Sequence, residues 1–164
     1  MKYVNTQIGF REVPNCISLL INISGCQIKC PGCHSKYLWK DIGTELTIRE
    51  LDRLIDENDG INCVCFMGGH DYKILNFLAM YLKMREDLNL KVCWYTGNKE
   101  IPSEIIIGRF DYIKVGPYIE EKGPLDSKTT NQRMYKVKNT ESGSELIDIT
   151  ESFWTNEVIT LPVE

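Results

Sequence analysis

The sequence predicts a single α/β domain with an open, mostly parallel sheet that curls like part of a (β/α) barrel. Apolar runs alternate with amphipathic helical segments through the first two-thirds of the chain, as in βαβ units. Each of these runs is followed by a loop that contains glycine. The chain has 164 residues, 43% of them hydrophobic, which is enough to build one compact core.

Four apolar runs are predicted to be the parallel strands. They are rich in β-branched and aliphatic residues, which is typical of strands buried on both faces. Right-handed crossovers connect such strands, so their carboxyl ends meet at one edge of the sheet. We therefore expect the glycine loops to share one site. The four runs are residues 16–24, 62–69, 91–98 and 111–118.

Two amphipathic segments, residues 46–58 and 72–87, are predicted to be helices. Thr47 and Glu50 have the spacing of a capping box at the start of the first helix. Asp71 stands where the N-cap of the second helix is expected. The apolar face of the first helix carries Ile48, Leu51, Leu54 and Ile55.

The remaining segments have weaker signals. A short helical segment is expected near residues 102–109, and residues 120–133 are expected to be a long loop. The tail, residues 145–164, is expected to add a strand and a short helix. The expected division is one domain over residues 1–164, with a core at about 16–137 and a C-terminal extension over 138–164.

Charge and composition exclude several classes of partner. The net charge of −4 provides no electrostatic reason to bind nucleic acid or an anionic membrane. The first 15 residues lack the apolar core of a signal peptide, and no apolar run approaches the ~20 residues that span a bilayer. We therefore expect a cytoplasmic protein, in which seven cysteines argue against a disulfide scaffold.

Three cysteines, Cys26, Cys30 and Cys33, form a C-x3-C-x2-C pattern directly after the first predicted strand. They could be reduced loop cysteines, although free cysteine prefers burial. A structural zinc site needs four ligands, and the candidate fourth ligand, His34, adjoins Cys33, where the backbone points neighbouring side chains apart. An iron–sulfur cluster is usually held by thiolates, and three of them leave one iron of four open for a substrate or cofactor.

This pattern resembles the signature of the radical S-adenosylmethionine (SAM) superfamily. The segment "CPGCHSKYLW", with Pro-Gly between the last two cysteines and Trp39 six residues later, is similar to activating proteins of the anaerobic (class III) ribonucleotide reductase. The segments "MGGHD", "WYTG" and "GPYIEE…LDSKTTNQR" match later motifs of those proteins. The resemblance covers about residues 16 to 137.

The resemblance implies a partial barrel of the radical SAM type and a specific chemistry. Cys26, Cys30 and Cys33 would ligate a [4Fe–4S] cluster, and SAM would chelate the open iron. The reduced cluster would cleave SAM to methionine and a 5′-deoxyadenosyl radical, which would abstract hydrogen from a glycine of the partner. The implied partners are the glycyl-radical subunit of the anaerobic reductase and a flavodoxin- or ferredoxin-like electron donor.

The resemblance also assigns SAM contacts by position. His34 stands where an aromatic ring lies near adenine, and the glycine pair stands where the backbone meets the methionine amino group. Each assignment has a structural alternative: an exposed loop histidine, a simple turn, and a core position for Tyr95. The assigned residues are Gly32, Cys33, His34, Gly68, Gly69, His70, Tyr95 and Thr96.

Other residues have more than one interpretation. The segment with Asn131, Gln132 and Arg133 could contact SAM or the partner, or be a solvated loop. Five lysines are expected to form a solvated face, or else a docking edge for an acidic partner: Lys114, Lys122, Lys128, Lys136 and Lys138. Four cysteines are expected to pack in the core, with redox or auxiliary-cluster roles as the alternative: Cys16, Cys63, Cys65 and Cys93.

Two departures from the family pattern bear on the substrate. His70 replaces the usual acid after the glycine pair, and Val115 stands where many activating proteins have aspartate. Three functions therefore stay open. The first is activation of an anaerobic ribonucleotide reductase. The second is radical SAM chemistry on another glycyl-radical enzyme, a peptide or a small molecule. The third is a non-enzymatic metal-binding or regulatory module.

Overall fold

The fold is taken from a computed structural model, which describes residues 1–154. Within this range eight strands form one mixed sheet, with two α-helices, α1 (Ile48–Asp56) and α2 (Tyr72–Met84). The strands in chain order are β1 (Lys2–Gly9), β2 (Ser18–Ile23), β3 (Thr44–Glu45), β4 (Cys63–Met67), β5 (Lys91–Tyr95), β6 (Tyr112–Val115), β7 (Arg133–Thr140) and β8 (Gly143–Asp148). Their order across the sheet is β3-β1-β2-β4-β5-β6-β7-β8.

The four predicted parallel strands are confirmed as β2, β4, β5 and β6, which lie side by side in the centre of the sheet. Each neighbouring pair among them is parallel. Cys65 shows the register, because it pairs with Leu20 on one side and with Cys93 on the other. The carboxyl ends of these strands therefore share one edge of the sheet.

The predicted fold class is wrong for the sheet as a whole. Four of the seven strand pairings within residues 1–154 are antiparallel: β1 with β2, β1 with β3, β6 with β7, and β7 with β8. The sheet is open, ending at β3 and β8, and two short helices do not make a helix-rich parallel barrel. For β7 and β8 the physical reason is local, because their two-residue hairpin permits only antiparallel pairing.

The sequence contained a signal for the missed hairpin. In β7, Met134 and Val137 are buried between residues that are partly or fully exposed, and a two-residue turn leads to Gly143, the first residue of β8. β8 confirms the strand expected in the tail, whereas the short helix expected there is a 3₁₀ turn, Thr150–Phe153. The rest of the tail, residues 155–164, lies outside the described range.

Both predicted α-helices are confirmed, with their N-caps. Thr47 Oγ1 accepts a hydrogen bond from the Glu50 N–H at 3.2 Å, and Asp71 Oδ1 accepts one from the Ile74 N–H at 3.1 Å. The capping box is incomplete, because the Glu50 carboxylate binds Arg53 instead of the Thr47 backbone. The helical segment expected near residues 102–109 is only a 3₁₀ turn, Ile107–Arg109.

The sheet has two different buried faces. On the helix face, Val64, Phe66 and Trp94 pack under α1 and α2. On the opposite side, which we call the thiol face, Cys63, Cys65, Cys93, Leu20 and Met134 are buried beneath Val13 and Leu125. No helix within residues 1–154 is both long and apolar enough to cross a lipid bilayer.

Candidate metal centre

The cysteine loop, residues 25–34, leaves the carboxyl end of β2. Gly25 has a φ of +76°, a conformation that L side chains rarely adopt, so glycine suits this turn. Two backbone hydrogen bonds fix the start of the loop, from Gly25 N–H to Lys40 O at 3.1 Å and from Cys26 N–H to Leu38 O at 2.9 Å. The first cysteine is therefore held against the segment that follows the loop.

The cysteine loop also lies across the ends of the next parallel strands. After β4, His70 Nε2 accepts a hydrogen bond from the Gln27 N–H at 3.1 Å. After β5, a Cβ placed on Gly97 would lie 3.0 Å from Ile28 Cγ1. The structure thus brings the loop together with the edge at which the glycine loops were expected to meet.

After β6, Tyr118 borders the third cysteine. The rings of Tyr118 and His34 have centroids 5.2 Å apart. A Cβ placed on Gly32 would lie 3.2 Å from Tyr118 Cε1, so the loop backbone and this ring are close neighbours. Gly32 and His34, both assigned by resemblance, therefore lie together at the β6 end of the loop, and His34 is exposed.

The three loop thiols are free and half-buried. No three His, Cys, Asp or Glu side chains within residues 1–154 are gathered closely enough to hold a single metal ion. Three cysteine thiols on one short loop are a donor set of the kind that holds iron–sulfur clusters.

Backbone N–H groups around the thiols add to this fit. Cys33 Sγ accepts a hydrogen bond from the Ser35 N–H at 3.3 Å. The Cys26 thiol is hydrogen-bonded by the backbone of Ile28 and Lys29. Hydrogen bonds to ligand sulfurs stabilise thiolates and tune iron–sulfur clusters. Two of the loop sulfurs thus already accept the backbone hydrogen bonds that ligand sulfurs receive in cluster sites.

Cys26 is the most acidic of the perturbed thiols. A hydrogen bond from His70 is the largest effect and, together with the backbone hydrogen bonds, lowers the pKa of Cys26 to about 7, although partial burial opposes the shift. Metal ligation requires the thiolate. Cys26 is therefore prepared for ligation near neutral pH.

His70, assigned by resemblance to SAM, contacts the cysteine loop in this structure. It touches both Gln27 and Cys26, so it connects the β4 end to the loop. It also lines an open cleft of about 570 Å³, which is within the size range of small-ligand sites. Ser24, Gly25 and Gln27 line the same cleft.

The glycine pair after β4 is a turn that requires glycine. Gly68 and Gly69 have φ values of +96° and +101°. The Gly68 N–H donates to Tyr95 O at 2.8 Å, and its carbonyl accepts from Trp94 Nε1 at 2.8 Å. The backbone of Gly68 is thus held by β5.

Tyr95 and Thr96 lie at the carboxyl end of β5 and are packed in the sheet. The Tyr95 hydroxyl donates to Glu12 O at 2.5 Å, and its ring packs against the thiol-face core. Thr96 is 3% exposed, and its Oγ1 accepts from the Asn98 N–H at 3.1 Å. The Tyr95 ring thus packs partly in the core, and its assignment to SAM stays a prediction.

Lys114 was missed as a site residue. It was expected on a solvated face but is 7% exposed, while the other four lysines of that group are exposed. It pairs with Tyr95 across β5 and β6, and its Nζ lies 5.6 Å from the Tyr95 ring centroid. Period-2 alternation from Tyr112 could have placed it on the inner face. Burial lowers the pKa of Lys114 to about 8, and the nearby Cys30 opposes that shift.

The segment after residue 129 is not a solvated loop. Gln132 is buried, and its Nε2 lies 3.5 Å from Gly116 O, while Asn131 Nδ2 donates to Pro117 O at 2.9 Å. Both side chains thereby hold the end of β6. Arg133 begins β7 and faces Asp148 at 3.7 Å.

The four other cysteines lie away from the loop. Cys63, Cys65 and Cys93 are fully buried on the thiol face, as their packing interpretation expects. Burial raises the pKa of Cys63 and of Cys93 well above the ordinary range. Cys16 precedes β2, at the end of that strand opposite the loop.

Comparison with known proteins is informative at the level of the family. The model of a family described as "4Fe-4S single cluster domain" matches residues 13–138. This range includes all three loop cysteines, the central strands and most of β7. Comparisons with curated proteins and with solved structures gave no match.

Proposed function

The chain belongs to the 4Fe-4S single cluster domain family, and from its cysteine motif and the resemblance of its later segments we propose that it is a radical SAM activating protein. Cys26, Cys30 and Cys33 hold one [4Fe–4S] cluster in this proposal. The protein cleaves SAM reductively and generates a glycyl radical on an anaerobic ribonucleotide reductase. A flavodoxin- or ferredoxin-like protein supplies the electron.

The observation that carries the proposal is that one loop presents three thiols and no fourth. Among the other four cysteines, three are buried in the core and Cys16 lies at the far end of β2. Three thiolates leave one iron of a four-iron cluster without a protein ligand. An open coordination position is what distinguishes a catalytic metal site from a closed structural one.

A bound and reduced cluster supplies the electron for SAM cleavage. The chain's own residues prepare the site for it. Cys26 is partly thiolate near neutral pH because His70 and the loop backbone stabilise its charge. His70 also keeps Gln27, and with it the start of the loop, against the end of β4.

Positions for SAM lie around the same loop. The cleft beside His70 adjoins Gly25 and Gln27, so a ligand there lies next to the first cysteine. At the other end of the loop, the exposed His34 ring and Tyr118 offer aromatic surface for adenine. Gly32 lets the loop backbone pass close to the Tyr118 ring.

The first experiment is anaerobic. The protein is loaded with iron and sulfide, reduced with dithionite and mixed with SAM, and 5′-deoxyadenosine is quantified. Cys30→Ala should abolish the product, while Cys16→Ala, the matched control outside the loop, should retain it. A fully loaded cluster that yields no product would instead support a non-enzymatic cluster module.

The second experiment tests the partner. The active protein is mixed with an anaerobic ribonucleotide reductase, and the glycyl radical is measured by electron paramagnetic resonance. SAM cleavage without that radical would favour the alternative substrate class, another glycyl-radical enzyme, a peptide or a small molecule. The replacement of the usual acid by His70, which contacts the loop, is the observation that keeps this alternative in view.

A further inference from the structure

We propose that Lys114 is a positioning residue whose buried ammonium raises the reduction potential of the cluster held by the cysteine loop. This inference rests on the proposed function, because it takes Cys26, Cys30 and Cys33 as the ligands. It goes further by naming a residue outside the motif that controls how readily the cluster accepts an electron.

The first step is that Lys114 is buried without a carboxylate partner. It is 7% exposed, and its Nζ donates to Gly116 O at 3.0 Å. No salt bridge involves Lys114 within residues 1–154. An ammonium group has three N–H donors, and burying its charge unpaired is costly. The site therefore lacks the anion that would balance this cation.

The second step is that Lys114 lies at the edge of the sheet that the cysteine loop crosses. It is in register with Tyr95, which is in register with Met67, so the three form a row at the carboxyl ends of the strands. The Lys114 ammonium donates to the carbonyl of Gly116, which directly follows β6, and Gly32 of the cysteine loop lies beside Tyr118, two residues further on. A negatively charged cluster held by the loop would therefore lie at the same edge of the sheet as this unbalanced ammonium.

The third step is the effect on reduction. Reduction adds one electron to the cluster, here from dithionite or a low-potential electron-transfer protein, and no bond of the chain changes. A fixed positive charge nearby stabilises the more negative, reduced state. Charge and surroundings are known determinants of cluster potential. The effect is larger for a buried cation than for an exposed one, because solvent and salt screen the latter.

The test is a potentiometric titration of loaded protein, followed by the spectrum of the reduced cluster. Lys114→Gln removes the charge but keeps a donor for Gly116 O, and it should shift the midpoint potential to a more negative value. Lys114→Met should shift it in the same direction, while Lys114→Arg should stay close to wild type. The matched control is Lys36→Met, since Lys36 is exposed and lies three residues after Cys33.

Each outcome has a distinct meaning. Unchanged potentials in both neutral variants would overturn the role of Lys114 and leave the proposed function intact. An equal shift in Lys36→Met would also overturn it, since burial would then be irrelevant. Partial loading of a variant does not obscure the result, because the spectrum reports only loaded protein. Retention of the same cluster by Cys30→Ala would refute the ligand set itself.

Discussion

Ile28 of the cysteine loop lies against Gly97, the residue that follows β5 by two positions. A Cβ on Gly97 would approach Ile28 Cγ1 to 3.0 Å and Cγ2 to 3.1 Å. Gly97 does not have a positive φ, so its role is close approach rather than backbone freedom. This contact joins the loop of the proposed cluster to the central sheet.

Gly97→Ala should displace the cysteine loop. The added methyl group must push Ile28 by a few tenths of an ångström, at a cost of up to about 1–3 kcal/mol for overpacking. We expect lower cluster content after reconstitution, measured as iron and sulfide per protein. The double variant Gly97→Ala with Ile28→Ala should recover part of the loss, because it removes both Cγ atoms that the new methyl group would meet. A double variant no better than the single one would contradict the contact as the cause.

His70→Ala should make Cys26 less reactive. Without the hydrogen bond from His70, the pKa of Cys26 rises from about 7 toward its ordinary value of 9. At pH 7 its alkylation by iodoacetamide in cluster-free protein should slow by roughly tenfold or more, because the thiolate is the nucleophile. His34→Ala is the control, as His34 is the only other histidine of the chain. Similar slowing in both variants would argue against a specific effect of His70.

Six of the seven thiols should divide into two classes in cluster-free protein. Cys26, Cys30 and Cys33 are half-buried on a loop, so they should react with a thiol reagent in the native state. Three others, Cys63, Cys65 and Cys93, are fully buried and should react only after unfolding in urea. Mass spectrometry of labelled peptides identifies each site. Native labelling of Cys93 at the rate of the loop thiols would show that the thiol face is open.

Lys114 should affect stability in a pH-dependent way. Burial lowers its pKa from 10.5 to about 8, so the folded state binds fewer protons than the unfolded state between these values. The buried ammonium therefore lowers the free energy of unfolding by about 3 kcal/mol below pH 8. This cost disappears as the pH rises from about 8 to 10.5. Lys114→Met removes the buried charge, so the variant should be more stable than wild type at pH 7 and lose that advantage above pH 8.

Urea unfolding of cluster-free wild type and Lys114→Met at pH 7, 8.5 and 10 measures this effect. The difference between the two proteins is the informative quantity. Burial raises the pKa of Cys63, so its ionisation in the unfolded state lowers the stability of both proteins alike as pH rises. A difference that stays constant with pH would mean that Lys114 is not buried as a charged group.

Part of the fold was predictable because its signals are local. The four central strands are continuous apolar runs, and both helices have apolar periodicity with N-caps at Thr47 and Asp71. The antiparallel edges were not predicted. β1 carries only a weak alternation, and β7 lies where resemblance to a parallel barrel ended, so its hairpin with β8 was overlooked.

The candidate site was also predicted only in part. Cys26, Cys30 and Cys33 are recognisable by spacing alone, because one short loop must supply all three ligands. Tyr95 and His70 were assigned to SAM by resemblance, and that assignment stays a prediction. Their contacts with the thiol-face core and with the cysteine loop come from the structure alone. The burial of Lys114 was also missed.

By itself, then, the sequence determined the parallel strand set, the two helices and the three-cysteine loop, since each depends on residues close together in the chain. The tertiary structure alone decided the mixed topology, the contact of His70 with Gln27 across 43 residues, and the unpaired charge of Lys114. Those features depend on which distant segments pack together, and the same local pattern is compatible with several such packings.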